Sequence, residues 1–271
     1  MTPPTTSSTA LPLQRLLDLA IRAATAPSSR ILSGFRNPAL TVERKSDGSP
    51  VTPFDREAEQ EIRQILANDT EQVWPVLGEE FGGDTAGAPY RWVVDPIDGT
   101  MPYSRGLPYF GTLLALDDVA ARRSLVGVIQ LPAFGELYTA GRGLGARCNG
   151  VRINIAPRRD LSECLISAPE IQKFRLAQLA DGYERLAGAI KHFRGNGDCW
   201  MHAMAARGFV DAVVEFTLNR WDIAATEVLV EEAGGRFFTR PSRTTPGKFD
   251  TVFGSPHAAQ QLVELLDFRP E

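Results

Sequence analysis

The chain has 271 residues, of which 43% are hydrophobic and 23% are charged, values that are ordinary for a soluble globular protein. Its formal net charge of −4 argues against a nucleic-acid-binding or membrane-surface protein, since both classes need a basic face. The cysteines are scattered and form no CxxC pair, so we predict neither a disulfide framework nor a zinc site, and we expect a reduced, cytoplasmic setting. No apolar run approaches the roughly 18–20 residues that a membrane helix needs.

The first half of the chain predicts two helices followed by a series of strands. Residues 1–10 are rich in Thr, Pro and Ser and are predicted to form a disordered tail rather than a signal peptide. Apolar residues at helical spacing from Leu13 to Ala24 predict a first helix, and a second is predicted to begin near Thr52 to Asp55. Strands are then predicted in VWPVLGEE, YRWVVDPID, YFGTLLALDD and SLVGVIQLP, and a strand pair in GELYTAGRGLGARCNGVRI.

The second half alternates strands and helices. Strands are predicted in ECLISA, AIKHFRG, VDAVVEF and GRFFT, with GRFFT as the final strand, and helices in IQKFRLAQLADGYERLA, CWMHAMAARG, DIAATEVLVEEAGG and HAAQQLVELL. This alternation predicts an α/β or α+β layered fold. No linker is long enough to separate independent domains, so we predict one domain over residues 11–267, with halves of about 11–158 and 159–267.

Acidic residues recur at points where an apolar element meets a turn or a helix start. These residues are Asp55, Glu79, Glu80, Asp95, Asp98 and Asp222. Clustered oxygen ligands suit a hard cation such as Mg²⁺, which is usually bound by few carboxylates together with waters and a substrate phosphate. Taken alone, Asp222 is equally well explained as a helix cap, and Glu79 with Glu80 as a solvated turn.

The pair of Asp95 and Asp98 is the strongest of these signals. Both follow a strand-like apolar run, and Pro96 between them restricts the turn that aims them. Gly99 and Thr100 come directly afterwards and can offer backbone N–H groups. Two carboxylates on a rigid turn beside such groups predict that metal and phosphate are held together.

Four segments resemble the signature motifs of the inositol monophosphatase family, in the order in which that family has them. These segments are VTPFD, VLGEEFGG, WVVDPIDGT and WDIAATEVLVEEAGG. The resemblance implies a layered αβαβα sandwich of the inositol monophosphatase/fructose-bisphosphatase type. It also implies a Mg²⁺-dependent, lithium-sensitive phosphomonoesterase, because the matched motifs are those that carry the family's chemistry.

The resemblance implies a set of metal ligands for about two or three Mg²⁺ ions per active site, which would activate water and neutralise the phosphate and the leaving alkoxide. The implied ligands are the side chains of Glu79, Asp95, Asp98 and Asp222 and the backbone carbonyl of Ile97. Glu80 is implied to lie behind these ligands rather than on the metal.

The resemblance also implies the residues that handle phosphate and water. The N–H groups of Gly99 and Thr100 would bind the phosphate, and the Thr100 hydroxyl with Asp55 would orient and deprotonate the attacking water. Glu79 would share in catalysis through the metal. This chemistry needs no histidine or cysteine nucleophile, and the sequence offers no convincing one.

Two further acids bear on which phosphate ester the protein would cleave. The segment Gly197–Trp200, GDCW, resembles the histidinol-phosphate phosphatases of the family, whereas typical inositol monophosphatases have small residues there. Asp198 and Glu215 would suit a substrate that bears an ammonium and an imidazole group. Alternatively, Asp198 caps a helix that starts near Cys199, and Glu215 is an acid on a strand edge.

Residues Met101, Pro102 and Tyr103 depart from the Lys-Asn-Phe that the histidinol-phosphate subgroup usually has after its first motif. We therefore expect hydrolysis of a small phosphate ester, most favourably histidinol phosphate in histidine biosynthesis. The alternatives are an inositol 1-phosphate, sugar-phosphate or nucleotide phosphatase, and an inactive regulatory homologue, which the complete acid set opposes. We expect no nucleic-acid or membrane partner, and the resemblance allows a homodimer.

Overall fold

The computed structural model describes residues 11–69, 71, 73–156, 160–195 and 197–270. The predicted disordered tail, residues 1–10, lies outside the described residues. The helices of the described part are α1 Leu13–Thr25, α2 Ser28–Gly34, α3 Pro53–Ala67, α4 Thr100–Ser104, α5 Ile171–Leu176, α6 Ala180–Ala189, α7 Asp198–Ala206, α8 Arg220–Glu232 and α9 Pro256–Leu265. None of them is long and apolar enough to cross a lipid bilayer.

The strands form a hairpin, a seven-stranded sheet and a five-stranded sheet. The hairpin consists of β1 Glu43–Arg44 and β2 Pro50–Val51. The seven-stranded sheet contains β3 Val76–Gly78, β4 Tyr90–Asp98, β5 Gly111–Asp118, β6 Arg123–Leu131, β7 Glu136–Gly141, β8 Gly145–Cys148 and β9 Val151–Arg152. The five-stranded sheet contains β10 Leu165–Ser167, β11 His192–Arg194, β12 Ala212–Leu218, β13 Arg236–Pro241 and β14 Phe249–Gly254.

The two sheets differ in their connections. The seven strands lie side by side in chain order, with β3 and β4 parallel and the remaining pairs antiparallel. The order in the five-stranded sheet is β11-β10-β12-β14-β13, in which β10 is parallel to both of its neighbours. Short hairpin connections suffice for antiparallel neighbours. The parallel strands β10, β11 and β12 are joined by crossovers that contain α5, α6 and α7, whereas the parallel pair β3–β4 is joined by the irregular segment 79–89.

Three large hydrophobic cores lie between the five layers, and a smaller fourth core packs α2 and α3 beside the end of β4. The first core joins α1 and α3 to one face of the seven-stranded sheet, around Leu16, Ile62 and Trp92. The second joins the opposite face of that sheet to α7, α8 and the five-stranded sheet. The third covers the far face of the five-stranded sheet with α5, α6 and α9, around Phe174 and Leu262. The layered αβαβα prediction is therefore confirmed, because each sheet buries both of its faces under helices.

Three local predictions were incomplete. The single helix predicted over residues 171–187 is two helices, because Gln178 adopts a left-handed φ of 58° that no α-helix continues through. Residues Ser28 and Ser29, which follow the predicted first helix, begin the short helix α2, for which no separate helix was predicted. GRFFT is not the final strand, since β14 follows it and pairs with both β12 and β13.

Candidate active site

The end of strand β4 carries Asp95 and Asp98 into the middle of the molecule. Asp95 pairs with Leu113 of β5 and Asp98 with Gly111, so that one extra residue is inserted into β4 between the two acids. Pro96 lies in this bulge, where a proline is tolerated because no ladder hydrogen bond is needed from it. The bulge turns Asp98 to the side of Asp95, and one carboxylate oxygen from each of Asp95, Asp98 and Asp222 lies within 4.8 Å of the other two.

Asp222 and Asp55 are both third residues of helices that begin with a capping box. In α8, the Asn219 backbone N–H donates to Asp222 Oδ2 over 2.7 Å. In α3, the Thr52 backbone N–H and hydroxyl donate to Asp55 Oδ2 over 2.8 and 2.6 Å. The cap interpretation of Asp222 is thus confirmed, and the structure also places Asp222 in the acidic cluster, so the two interpretations hold together.

Thr100 connects Asp55 to the end of β4. Its hydroxyl lies 2.9 Å from Asp55 Oδ1 and 3.0 Å from the Ile97 carbonyl oxygen, and both are acceptors for its single proton. Gly99, just before, has a left-handed φ of 82°. A Cβ at Gly99 would lie 2.4 Å from the carbonyl oxygen of Tyr109, so only glycine permits this turn.

Glu79 lies next to the cluster but is held by a lysine. Its backbone N–H donates to the Val94 carbonyl. Burial raises the pKa of Asp95, and the negative charge of the Glu79 carboxylate adds to that rise. The Lys45 ammonium, from the turn of the β1–β2 hairpin, donates to Glu79 Oε1 over 2.7 Å and to Glu80 Oε1 over 2.5 Å. Glu79 is accordingly not among the three carboxylates that meet within 4.8 Å in the described part of the chain.

Glu59 of α3 positions the turn that carries Glu79 and Glu80. This fully buried carboxylate accepts hydrogen bonds from the backbone N–H groups of Glu80, over 2.7 Å, and Phe81, over 3.3 Å. The sequence analysis missed both Glu59 and Lys45. A glutamate on an apolar helix face was a signal for Glu59, but no local pattern marks Lys45, because its partners are more than thirty residues away.

Burial and mutual repulsion keep the acids of the cluster from ionising easily. Burial is the main cause of the raised pKa of Asp95 and of Asp98, and neighbouring carboxylates add to it. Burial also raises the pKa of Asp222, to about 7. Within the described residues, Asp95 Oδ1 is buried and has no hydrogen-bond partner. Crowded acids with an unsatisfied oxygen fit a divalent cation, which would supply the missing positive charge.

This arrangement predicts a pH-dependent stabilisation by Mg²⁺. The raised pKa values mean that the folded, metal-free protein binds protons more tightly than the unfolded chain. The acidic cluster loses these protons as the pH rises from about 4 to about 7, so the free energy of unfolding falls over that range. A cation must displace those protons at low pH. We expect Mg²⁺ to raise the melting temperature by about 5 °C or more near pH 7.5, and by markedly less near pH 5.5.

Differential scanning fluorimetry of EDTA-treated protein, at matched ionic strength and with and without Mg²⁺, measures this effect. Asp181→Asn is the control, because Asp181 is an exposed acid on α6 and its loss should leave the Mg²⁺ effect intact. An equal Mg²⁺ shift at both pH values would contradict the proton competition.

The segment around Asp198 is joined to the acidic cluster. The Cys199 backbone N–H, at the start of α7, donates to Asp98 Oδ2 over 2.6 Å. Helix α7 begins at Asp198, which has a φ of 48°, with Gly197 in the cap position. Burial raises the pKa of Asp198 to about 6, and the nearby Glu215 carboxylate adds to the shift. Asp98, a predicted metal ligand, and Asp198, predicted to contact the substrate, therefore lie close to one another.

Glu215, on β12, is not a strand-edge acid. It is 3% exposed, in a strand with neighbours on both sides, and its Oε2 lies 2.7 Å from Nε2 of His202. Burial lowers the pKa of His202, but the carboxylates around it, Glu215 first, outweigh burial and raise the pKa to about 9. The sequence analysis missed His202, since a lone histidine in an apolar helix carries no signal of its partner.

An aromatic group borders the same segment on the outside. The Trp200 ring lies 5.0 Å from that of Tyr109 and is stacked at 5.9 Å on that of Phe134. Met101, which stands where the histidinol-phosphate subgroup has a lysine, is 46% exposed and follows directly on Thr100 at the start of α4.

Comparison with known proteins extends this description. The inositol monophosphatase family profile matches residues 12–269. A protein named histidinol-phosphatase from Chlorobaculum parvum is 36% identical over 225 residues, which are 82% of this chain and 85% of that protein. Another of that name, from Streptomyces coelicolor, is 32% identical over 93% of this chain and 97% of its own length. Nus factor SuhB from Pseudomonas aeruginosa is 34% identical over 82% of this chain and 84% of its own length.

Solved structures agree with the fold. Extragenic suppressor protein suhB from Bartonella henselae superimposes with a TM-score of 0.82 at 26% identity, covering 94% of this chain and 99% of that one. An inositol monophosphatase from Zymomonas mobilis superimposes with a TM-score of 0.78 at 28% identity, covering 95% and 99%.

The layers and the buried acids together define a two-sheet α/β sandwich whose candidate site suits a divalent cation and a phosphate ester. The chain belongs to the inositol monophosphatase family, and it is a phosphatase of that family.

Proposed function

We propose that the protein hydrolyses histidinol phosphate to histidinol in a Mg²⁺-dependent reaction. The observation that carries this proposal is the direct connection between the two halves of the site. The backbone N–H of Cys199, next to Asp198 in the segment typical of the histidinol-phosphate subgroup, donates to Asp98 of the acidic cluster. Relatives named histidinol-phosphatase at 36% and 32% identity support the same substrate.

The chain's own carboxylates would hold the metal. Asp95, Asp98 and Asp222 already converge within 4.8 Å, Glu79 lies beside Asp95, and the Ile97 carbonyl faces the same turn through its contact with Thr100. We propose these five as the ligands of about two or three Mg²⁺ ions. Bound Mg²⁺ supplies Lewis-acid stabilisation of the phosphate charge and lowers the pKa of water.

Asp55 and Thr100 would form the base. The Thr100 hydroxyl can donate to Asp55 Oδ1 over 2.9 Å, which directs a lone pair of its oxygen towards a water proton. As the water attacks phosphorus and the ester P–O bond breaks, its proton would pass to Thr100 while the Thr100 proton passes to Asp55. The leaving alkoxide would take a proton from solvent water and depart as the alcohol. Burial raises the pKa of Asp55, which makes this carboxylate a better proton acceptor. Gly99 and Thr100 would offer backbone N–H groups to the phosphate.

Asp198 and Glu215 would recognise the leaving alcohol in different ways. His202 pairs with Glu215, and its pKa of about 9 keeps the imidazole protonated at neutral pH. The positive charge of His202 therefore offsets the negative charge of the Glu215 carboxylate. We therefore assign attraction of the substrate ammonium to Asp198, whose pKa of about 6 leaves it mostly ionised at neutral pH, and the role of hydrogen-bond acceptor to Glu215. The aromatic faces of Trp200 and Tyr109 suit an imidazole ring.

The test is kcat/KM with Mg²⁺ on histidinol phosphate and on inositol 1-phosphate in one buffer. We expect a preference of about a hundredfold for histidinol phosphate, close to 3 kcal/mol of differential transition-state binding. Asp198→Asn should lower kcat/KM for histidinol phosphate about tenfold and leave that for inositol 1-phosphate within about threefold.

The other outcomes separate the alternatives. Comparable rates on both esters would favour a broader phosphatase. That function fits Met101 and Pro102, which stand where the histidinol-phosphate subgroup has polar residues. It also fits a relative from Aquifex aeolicus, 30% identical and named fructose-1,6-bisphosphatase/inositol-1-monophosphatase. No turnover of any phosphate ester would favour an inactive homologue and overturn the proposal.

A further inference from the structure

A buried histidine joins three elements behind the proposed leaving-group side of the site. His202 of α7 is 2% exposed, and both of its ring nitrogens have partners. Nε2 lies 2.7 Å from Glu215 Oε2 on β12, and Nδ1 lies 2.8 Å from Thr226 Oγ1 on α8. The Phe253 ring of β14 meets the imidazole edge-on at 5.1 Å. The imidazole therefore has one orientation, fixed on two sides by hydrogen bonds and on a third by packing.

Glu215 receives only half of the hydrogen bonding that its carboxylate can accept. Its Oε2 is engaged by His202, whereas Oε1 is buried and has no hydrogen-bond partner within the described residues. The β12 register becomes irregular directly after Glu215, where Thr217 has a φ of 61°. A buried acceptor without a partner is costly in a folded protein, so it points to a donor that another molecule supplies.

The surroundings of Glu215 indicate which part of a phosphate ester would supply that donor. Glu215 is close enough to Asp198 and Asp222 to raise the pKa of each. A carboxylate beside other carboxylates repels phosphate oxygens but accepts hydrogen bonds from a hydroxyl or ammonium group. The donor therefore belongs to the leaving alcohol rather than to the phosphate.

We propose that His202 is a positioning residue for leaving-group specificity, which holds Glu215 by Oε2 and so presents Oε1 to a hydroxyl or ammonium group of the ester. This inference rests on the proposed phosphatase function but not on histidinol phosphate as the substrate. If His202 only held α7, α8 and β12 together, its replacement would change the kinetics of all esters alike. If it positions Glu215, its replacement should affect only esters whose leaving alcohol carries a hydrogen-bond donor.

The experiment measures kcat and KM with Mg²⁺ on histidinol phosphate, inositol 1-phosphate and phenyl phosphate, whose leaving group offers no donor away from the ester oxygen. His202→Phe keeps a ring and removes both hydrogen bonds. We expect it to raise KM for the preferred donor-bearing ester about tenfold, and to leave kcat and the KM for phenyl phosphate within about twofold. His202→Gln can restore a donor to Glu215 and should recover most of the lost affinity.

Two further variants sharpen the result. His257→Gln is the matched control, because His257 is exposed on the outer helix α9 and should behave as wild type. In a Glu215→Gln background, His202→Phe should raise KM by no more than about twofold again, since the residue through which His202 acts has been replaced. Melting temperatures of all variants report whether they fold.

If His202→Phe does not fold, His202→Gln and Thr226→Val decide. Thr226→Val removes the hydrogen bond to His202 Nδ1. It should raise KM for the donor-bearing ester by less than His202→Phe does, with kcat unchanged. Equal losses on all three esters, additive effects with Glu215→Gln, or wild-type KM values in every variant would overturn the role of His202. Wild-type protein that cleaves none of the esters would overturn the proposed function, and this inference with it.

Discussion

Asp95→Asn is expected to lower Mg²⁺-dependent kcat/KM by about a hundredfold or more. Loss of a residue that only hydrogen-bonds to a metal ligand typically lowers metal affinity or activity by about 10–100-fold, and loss of a ligand itself should cost at least as much. Asp95 is 2% exposed, and its Oδ1 is a buried oxygen without a hydrogen-bond partner among the described residues. An amide of the same shape keeps the bulge in β4 but brings no negative charge to a cation. Turnover of histidinol phosphate at saturating Mg²⁺ measures the loss.

The same variant should be folded and, without metal, at least as stable as the wild type. Neighbouring carboxylates disfavour ionised Asp95, and a neutral side chain removes that repulsion. The Mg²⁺-induced rise in melting temperature should disappear with the activity. Asp181→Asn serves again as the control for a lost negative charge. Near-normal activity of Asp95→Asn would show that the metal ligands have been wrongly assigned.

Asp55→Asn is expected to lower kcat by about 10²–10⁴-fold while leaving the Mg²⁺-induced stabilisation intact. Asp55 is fully buried and accepts from Thr100 through Oδ1, so an amide can keep the contact but cannot take up a proton. Thr100→Val should also lower kcat, because it removes the hydroxyl that would pass the proton to Asp55. Because the two residues form one relay, the double variant should be little worse than the more damaging single one.

The structural role of Asp55 needs its own control, because Oδ2 also caps α3 by accepting from Thr52. Losing a cap costs about 0.5–2 kcal/mol of stability. Ser255→Ala removes the side-chain cap of α9, in the outer layer, and should lower stability to a similar extent without loss of kcat. If Asp55→Asn lost stability alone and kept its kcat, Asp55 would be only a cap.

The parts of the site that the sequence predicts are those held by local backbone geometry. Pro96 and Gly99 lie within a few residues of Asp95 and Asp98, and the structure has the bulge and the left-handed turn that these residue types favour. The capping box that places Asp55 joins two residues only three positions apart, Thr52 and Asp55. Interactions over such short separations depend little on the rest of the fold, so that a motif is enough to predict them.

Long-range contacts decided the rest. Lys45 reaches Glu79 and Glu80 across more than thirty residues, and His202 reaches Glu215 and Thr226 on two other elements. The sequence shows that these residues are present but not that they are close in space. Their proximity arises only when the two sheets pack against helices α7 and α8. For the same reason β14 escaped prediction, because its pairing with β12 and β13 is a property of the assembled sheet.

The sequence by itself thus predicted a layered α/β fold and placed Asp95 and Asp98 together at the end of β4, since periodicity, turn chemistry and capping act within a few residues. Its motifs indicated the family by resemblance. Only the tertiary structure decided that Asp222 both caps α8 and joins the cluster. It also decided that Glu215 is paired with a buried histidine of α7. Burial, pairing and shifted pKa values depend on which surfaces meet, and no single stretch of chain records that.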